Sequence, residues 1–221
     1  MLKTENFQTY GWESAIRGMR NPMNSWEKSD SGWEPQLDTL KGPVTGVFVI
    51  GPNDLDLMKR LRKGGPDDRK YLRQIFVSVD ITAPLYWWKE MDQYKVGTVT
   101  NSCSTMHKIA SKEFEWDDFS FEHLLPDEAT DFMRHLVDGL NYYRQKFLKT
   151  KDKKYWWQMI QLLPSSYNQK RTWTANYEVL CNIYHARKNH KLDEWHTFCD
   201  AIENLPYVKE LIIGGEQDER R

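Results

Sequence analysis

The run Thr100-Asn101-Ser102-Cys103-Ser104-Thr105 gathers hydroxyls, an amide and a thiol in one stretch, a composition able to present donors and acceptors to a polar ligand. Cys103 has two readings. A thiolate is a far better nucleophile than a hydroxyl, but only Lys95 and His107 stand near it in the chain to favour the thiolate, so an inert thiol is the commoner outcome. Asn176 poses a different question. On a helix over 170 to 188 it shares a stripe with Trp173, Leu180, Ile183 and Tyr184, and a buried amide must find hydrogen-bond partners. A ligand edge or a backbone group would serve equally. Arg17 and Arg20, in Arg17-Gly18-Met19-Arg20-Asn21-Pro22, are clustered as a local anion site requires, although solvated or ion-paired cations are the ordinary alternative. His185, His190, His196 and Cys199 raise the question of metal. His196 and Cys199 share a helical face while His185 and His190 do not, so tetrahedral ligation is not implied and no metal is expected. There is no nucleophile elbow, phosphate-cradling Gly-rich loop, His-Glu-x-x-His or dinucleotide fingerprint.

The composition narrows the class. A chain of 221 residues can bury a substantial core without disulfides or metal, and one domain is the simpler expectation. Lysine and arginine number 31 against 32 acidic residues, so no net field draws the whole protein to nucleic acid or to an anionic membrane. Any anionic ligand must be held locally. The three cysteines, Cys103, Cys181 and Cys199, form no CxxC pair and point to a reducing compartment. The opening residues Met1 to Asn6 lack the apolar core of a leader, and no run approaches the roughly 18 apolar residues that span a bilayer, so a cytoplasmic location is expected. The 10 Trp, 11 Tyr and 9 Phe are expected mainly in the core and at subunit interfaces rather than stacked on a ligand.

The elements that must position these residues follow from periodicity. Residues 1–42 read as an irregular N-terminal segment with a short helix around Trp12 to Met19. Val44 to Ile50 reads as a strand closed by Gly51-Pro52, followed by a helix capped by Asn53 and stopped by Gly64-Gly65-Pro66. Gln74 to Ile81 alternates as a strand does, with Ile75, Val77 and Val79 on one side, and a helix begins near Pro84. From Pro126 to Thr150 the apolar positions recur every three or four residues, which defines one long amphipathic helix. Further helices are placed at about 152–162, 170–188 and 192–203, with boundaries uncertain by roughly two to four residues. The expected fold is α+β: a single domain over 43–215, with a small, mostly antiparallel sheet packed on a helical C-terminal half, and a solvated tail over 216–221.

Two blocks carry a resemblance. Val79-Asp80-Ile81-Thr82-Ala83-Pro84-Leu85-Tyr86-Trp87-Trp88-Lys89-Glu90 resembles the strand, Ala-Pro step and aromatic helix of the flavin-dependent thymidylate synthases. Leu163-Pro164-Ser165-Ser166-Tyr167-Asn168, Trp173-Thr174-Ala175-Asn176, Leu180, Asn182 and Ala186-Arg187 are similar in order and spacing to that family's Leu-Pro turn, Trp-Thr-x-Asn helix and Leu-Arg end. The resemblance implies a homotetramer in which FAD, methylenetetrahydrofolate and deoxyuridylate meet, with arginines on the phosphates. It implies flavin contacts at Lys95, Thr98, Asn176 and Asn182, and nucleotide contacts at Asn101, Cys103, Ser104, Lys170, Arg171 and Arg187. Cys103 takes the place of the nucleotide-facing serine and is the one weak catalytic candidate.

The departures are as informative. Where the family carries Arg-His-Arg-x-x-Ser, this chain has Gln93-Tyr94-Lys95-Val96-Gly97-Thr98. The following Asn-Glu-x-Ser-x-Arg-Tyr falls on Thr100 to Met106, the expected histidine falls near Gln74 and a late arginine near Phe198. Two outcomes are therefore expected: one-carbon transfer to a pyrimidine deoxynucleotide with reduced flavin, or a non-catalytic relative that keeps the fold to bind nucleotide or protein.

Overall fold

Alternation along Phe76–Pro84 (β4) puts Val77, Val79, Ile81 and Ala83 on one face, all buried, and Ser78, Asp80 and Thr82 on the other. In the computed structural model, which describes residues 2–36 and 45–214, this strand lies inside a four-stranded antiparallel sheet. The order is Lys3–Tyr10 (β1), β4, Asn168–Asn176 (β6) and Val99–Ser102 (β5). The pair Gly32–Gln36 (β2) and Thr45–Val49 (β3) forms a separate antiparallel ribbon.

Helices cover the apolar face of the sheet. Trp12–Arg20 (α1), Pro52–Lys63 (α2), Leu85–Met91 (α3), Tyr177–Arg187 (α7) and Asp193–Glu203 (α8) share one core with it, in which Trp87, Trp88, Trp173, Trp195 and Phe198 are almost wholly buried. Trp87 meets Trp88, Trp195 and Phe198 at 4.9, 4.8 and 5.6 Å between centroids, the tilted and edge-on contacts that aromatic quadrupoles favour. A second core lies under the helical hairpin Glu128–Thr150 (α5) and Lys153–Leu162 (α6). There Met133, Leu140 and Met159 pack with Ile109, Phe114 and Phe119 from the segment after the short helix Thr105–Lys108 (α4). The α+β class, the single domain and the small antiparallel sheet are as expected.

Three readings of the sequence need correction. Residues 3–10 are not irregular: they pair with β4 from Lys3↔Thr82 to Tyr10↔Phe76, with a bulge between Glu5 and Gln8 that interrupts alternation. Gly11 then turns the chain at φ +84, where an added Cβ would stand 2.1 Å from the Gln74 carbonyl oxygen. The helix expected over 170–188 is a strand up to Asn176 and a helix from Tyr177. Local periodicity of Trp173 with Leu180 is helical, but nine residues of pairing with β4 decide the first part. The cap of α2 is not Asn53. The Asp30 carboxylate accepts the N–H groups of Asn53 (2.9 Å) and Asp54 (3.1 Å) from outside the helix. The tail 216–221 and Val44 lie outside the described residues.

Candidate functional site

Period two along β6 separates two neighbours that a helix would have kept together. Gln169, Arg171, Trp173 and Ala175 turn inward, whereas Lys170 and Thr172 turn to solvent. The Lys170 ammonium lies 3.3 Å from Glu5 and 3.6 Å from Asp80, across the neighbouring strands. Glu5 beside it, and then Asp80, hold the ammonium above its usual range. Hydrogen bonds from Thr172 and Asn6 in turn hold the Asp80 carboxyl below the usual carboxylate range. Arg171 reaches Asp92 at 2.7 Å and lies 4.1 Å over the Trp88 ring, a cation–π contact.

Beyond the end of β5 the chain runs along β6, and the Cys103 N–H donates to the Lys170 carbonyl at 3.0 Å. Gln169 fixes this crossing. Its Nε2 donates to the Cys103 carbonyl (2.7 Å), its Oε1 accepts from Arg171 Nε (2.9 Å), and its own carbonyl accepts from Trp88 Nε1 (2.9 Å). Ser104 accepts the N–H of His107, which starts α4. The result is a groove of about 430 Å³ whose walls include Cys103, Ser104, Thr105, Lys108 and Lys170, with an apolar side of Ile109, Phe114 and Tyr167. Cys103 is exposed, and Cys181 and Cys199 are buried. Lys112 at the rim is paired with Asp118, while Lys108 has no ion-pair partner among the described residues.

The structure brings together Cys103, Ser104 and Lys170 and leaves the other candidates elsewhere. Asn101 is one turn of the pleat away, opposite Thr172 on the solvent face of edge strand β5. Arg187 sits across the core, bound to Glu90 (3.0 Å) and Tyr94 (2.9 Å) and 4.9 Å over the Trp195 ring. Of the residues matched to flavin contacts, Thr98 donates to the Tyr94 carbonyl and Asn176 caps α7 by accepting the Val179 N–H at 3.0 Å. The question about the buried Asn176 amide thus has a backbone answer for its oxygen. Lys95 and Asn182 are exposed on a loop and on a helix face. Thr98 and Asn176 are thus engaged with backbone groups, and the loop that carries Lys95 and Thr98 passes beside Asn176, whose side-chain amide nitrogen would stand 3.0 Å from a Cβ at Gly97.

The remaining candidates, Arg17 apart, have partners within the fold. Arg20 is buried in an ion pair with Asp54 at 2.6 Å, and Arg17 is exposed beside it. His185 bonds the Ile212 carbonyl, His190 lies 3.3 Å from Glu90 and His196 bonds the His190 carbonyl. Burial, with Asp200 and Glu203 nearby, pushes the Cys199 thiol up to about 12. Among the described residues no group of three or more His, Cys, Asp or Glu is placed to hold a metal. Position 198, matched to a substrate-gripping arginine, is a wholly buried phenylalanine. Gln169, Lys108 and Tyr167 were missed as site residues. Gln169 would have been found by reading 168–176 as a strand, since alternation then points it inward beside Trp173.

No family model matches the sequence, and no curated protein matches it either. The fold is shared with solved structures, among them two thymidylate synthases. A flavin-dependent thymidylate synthase ThyX from Helicobacter pylori, complexed with FAD and dUMP, is 17% identical over 96% of this chain and 97% of its own, with a TM-score of 0.64. A second structure of Thymidylate Synthase X from the same organism, with FAD and dUMP, is 16% identical over 96% of each chain, with a TM-score of 0.63. At such identity the likeness is one of fold.

Proposed function

We propose that this chain is a nucleotide-binding protein built on the flavin-dependent thymidylate synthase fold, holding a pyrimidine nucleotide in the groove beside β6 without catalysing methyl transfer. The observation that carries the proposal is the convergence of Cys103, Ser104 and Lys170 with the unpaired Lys108 on one groove that also has an apolar side. A phosphate suits the Lys108 ammonium and the Thr105 hydroxyl, and a base suits the partly exposed Tyr167 ring on the apolar side. The arginines that would grip phosphate for catalysis are otherwise engaged: Arg171 with Asp92 and Trp88, Arg187 with Glu90 and Tyr94.

Calorimetric titration with dUMP tests the reading. Saturable binding is expected, weakened about tenfold by Lys108→Ala, the loss of one charge-assisted hydrogen bond. Binding that ignores this substitution would move the site elsewhere. The second reading is one-carbon transfer to a dUMP-like nucleotide, with reduced FAD and methylenetetrahydrofolate, in a homotetramer. What favours it is that both structural neighbours were solved with FAD and dUMP. The absorbance spectrum of the purified protein with added FAD separates the two. A retained flavin band that bleaches with reductant supports transfer, and unbound flavin supports binding alone.

A further inference from the structure

A second groove, of about 350 Å³, opens between α1 and the β2–β3 ribbon and shares no lining residue with the groove beside β6. Its walls include Glu13, Arg17, Trp26, Trp33 and Phe48, and the buried Arg20 also lines it; Glu13, one turn from Arg17, makes no ion pair with it among the described residues. Two of these side chains are unusually open for their type: Trp33 is 64% exposed and Trp26 51%. They are nevertheless held in place. Trp26 Nε1 donates to Asn21 at 2.8 Å, and Trp33 packs edge-on against Phe48 with centroids 5.4 Å apart.

The Arg20 wall is rigid for an electrostatic reason. Asp54 Oδ1 accepts from Arg20 Nε, and Oδ2 accepts from the hydroxyls of Ser29 and Ser31 and the N–H groups of Asp30 and Ser31. Arg20 also donates to the Ser25 carbonyl at 3.1 Å. The segment that carries Trp26 and leads to Trp33 is thereby tied to α1 and α2. Arg17, one turn before Arg20, and two exposed indoles thus line one groove together, and the Arg17 side chain makes no ion pair or hydrogen bond among the described residues.

We infer that this groove binds a planar ring system carrying one anionic group, of the class of a nucleoside monophosphate. The indoles offer faces on which any such ring stacks, and the Arg17 fork suits a carboxylate or phosphate. The volume is at the small end of the roughly 300–1,000 Å³ of ligand pockets, which fits one ring and one anionic group rather than a dinucleotide. The inference does not rest on the groove beside β6 being occupied.

The test is a titration of the full chain with AMP, adenosine and inorganic phosphate, followed by tryptophan fluorescence, on the wild type, Arg17→Gln and Trp33→Leu. AMP is expected to bind saturably, with adenosine and phosphate each about tenfold weaker or more. Arg17→Gln should lower AMP to the level of adenosine, and Trp33→Leu should weaken AMP and adenosine alike. Arg17 is exposed, so its substitution should leave the circular dichroism spectrum intact. Absence of saturable AMP binding, or AMP binding that Arg17→Gln leaves unchanged, overturns the proposal. So does a sedimentation coefficient that falls on Trp33→Leu without any ligand effect, because a second copy of the chain would then be what covers the indoles.

Discussion

Asp54 is wholly buried, and its charge is affordable only because every nearby donor turns to it. Burial alone would push its carboxyl up, but hydrogen bonds from Ser31, Ser29, Arg20 and Asp30 outweigh that and hold it below the ordinary carboxylate value. A depressed folded-state value means that the contribution to stability is complete above the unfolded value, about pH 4, and is lost as the pH falls through the folded value. Urea melts of the wild type should therefore show stability dropping below about pH 4, whereas Asp54→Asn should flatten that limb. At neutral pH the substitution should cost about 3–5 kcal/mol, because it leaves Arg20 buried without its counter-charge. Individual residues were unevenly legible. Cys103 and Ser104 advertised themselves by composition. Arg20 did not, since nothing local distinguishes a buried, paired arginine from the exposed Arg17 three residues earlier. The partner that decides it, Asp54, is on another helix.

Elements with a continuous apolar stripe were legible, and those whose pairing is long-range were not. α5 shows its stripe at Met133, Leu136, Val137, Leu140 and Phe147, and it folds where that pattern starts and stops. β1 and β6 are rich in polar residues because one face of the sheet carries Glu5, Asp80, Lys170 and Thr172 as a cross-strand network, so their sequences lack the β-branched run that marks a strand. The helical hairpin α5–α6 closes a core separate from that of the sheet, and it also supports the segment of Ile109 and Phe114 that walls the groove. Leu140→Ala should cost about 2–5 kcal/mol, as expected for a wholly buried leucine whose cavity only partly collapses. Denaturant melts should report that loss. If the hairpin positions the groove wall, dUMP affinity should fall as well, and unchanged affinity would separate the hairpin from the site.

The whole molecule combines a widely shared architecture with a site assembled from a strand end, a short helix and a hairpin-supported loop. The architecture was legible because Val79 to Glu90 and Leu163 to Arg187 lie at its centre, as β4–α3 and β6–α7. The site was legible only in part, because the two sides of the groove, Cys103 to Lys108 and Tyr167 to Lys170, are joined by pairing across more than sixty residues of chain. No helix among the described residues is long and apolar enough to cross a membrane. The same geometry supplies a reporter. Cys103 lines the groove and is exposed, while Cys181 and Cys199 are buried, so a thiol reagent added to the native protein reads this one position first. The most direct measurement is the rate of Cys103 modification by Ellman's reagent with and without dUMP. At a nucleotide concentration about ten times its dissociation constant the rate should fall about tenfold, the fraction of protein left unoccupied. A rate that saturating dUMP leaves unchanged would contradict the placing of a nucleotide in this groove.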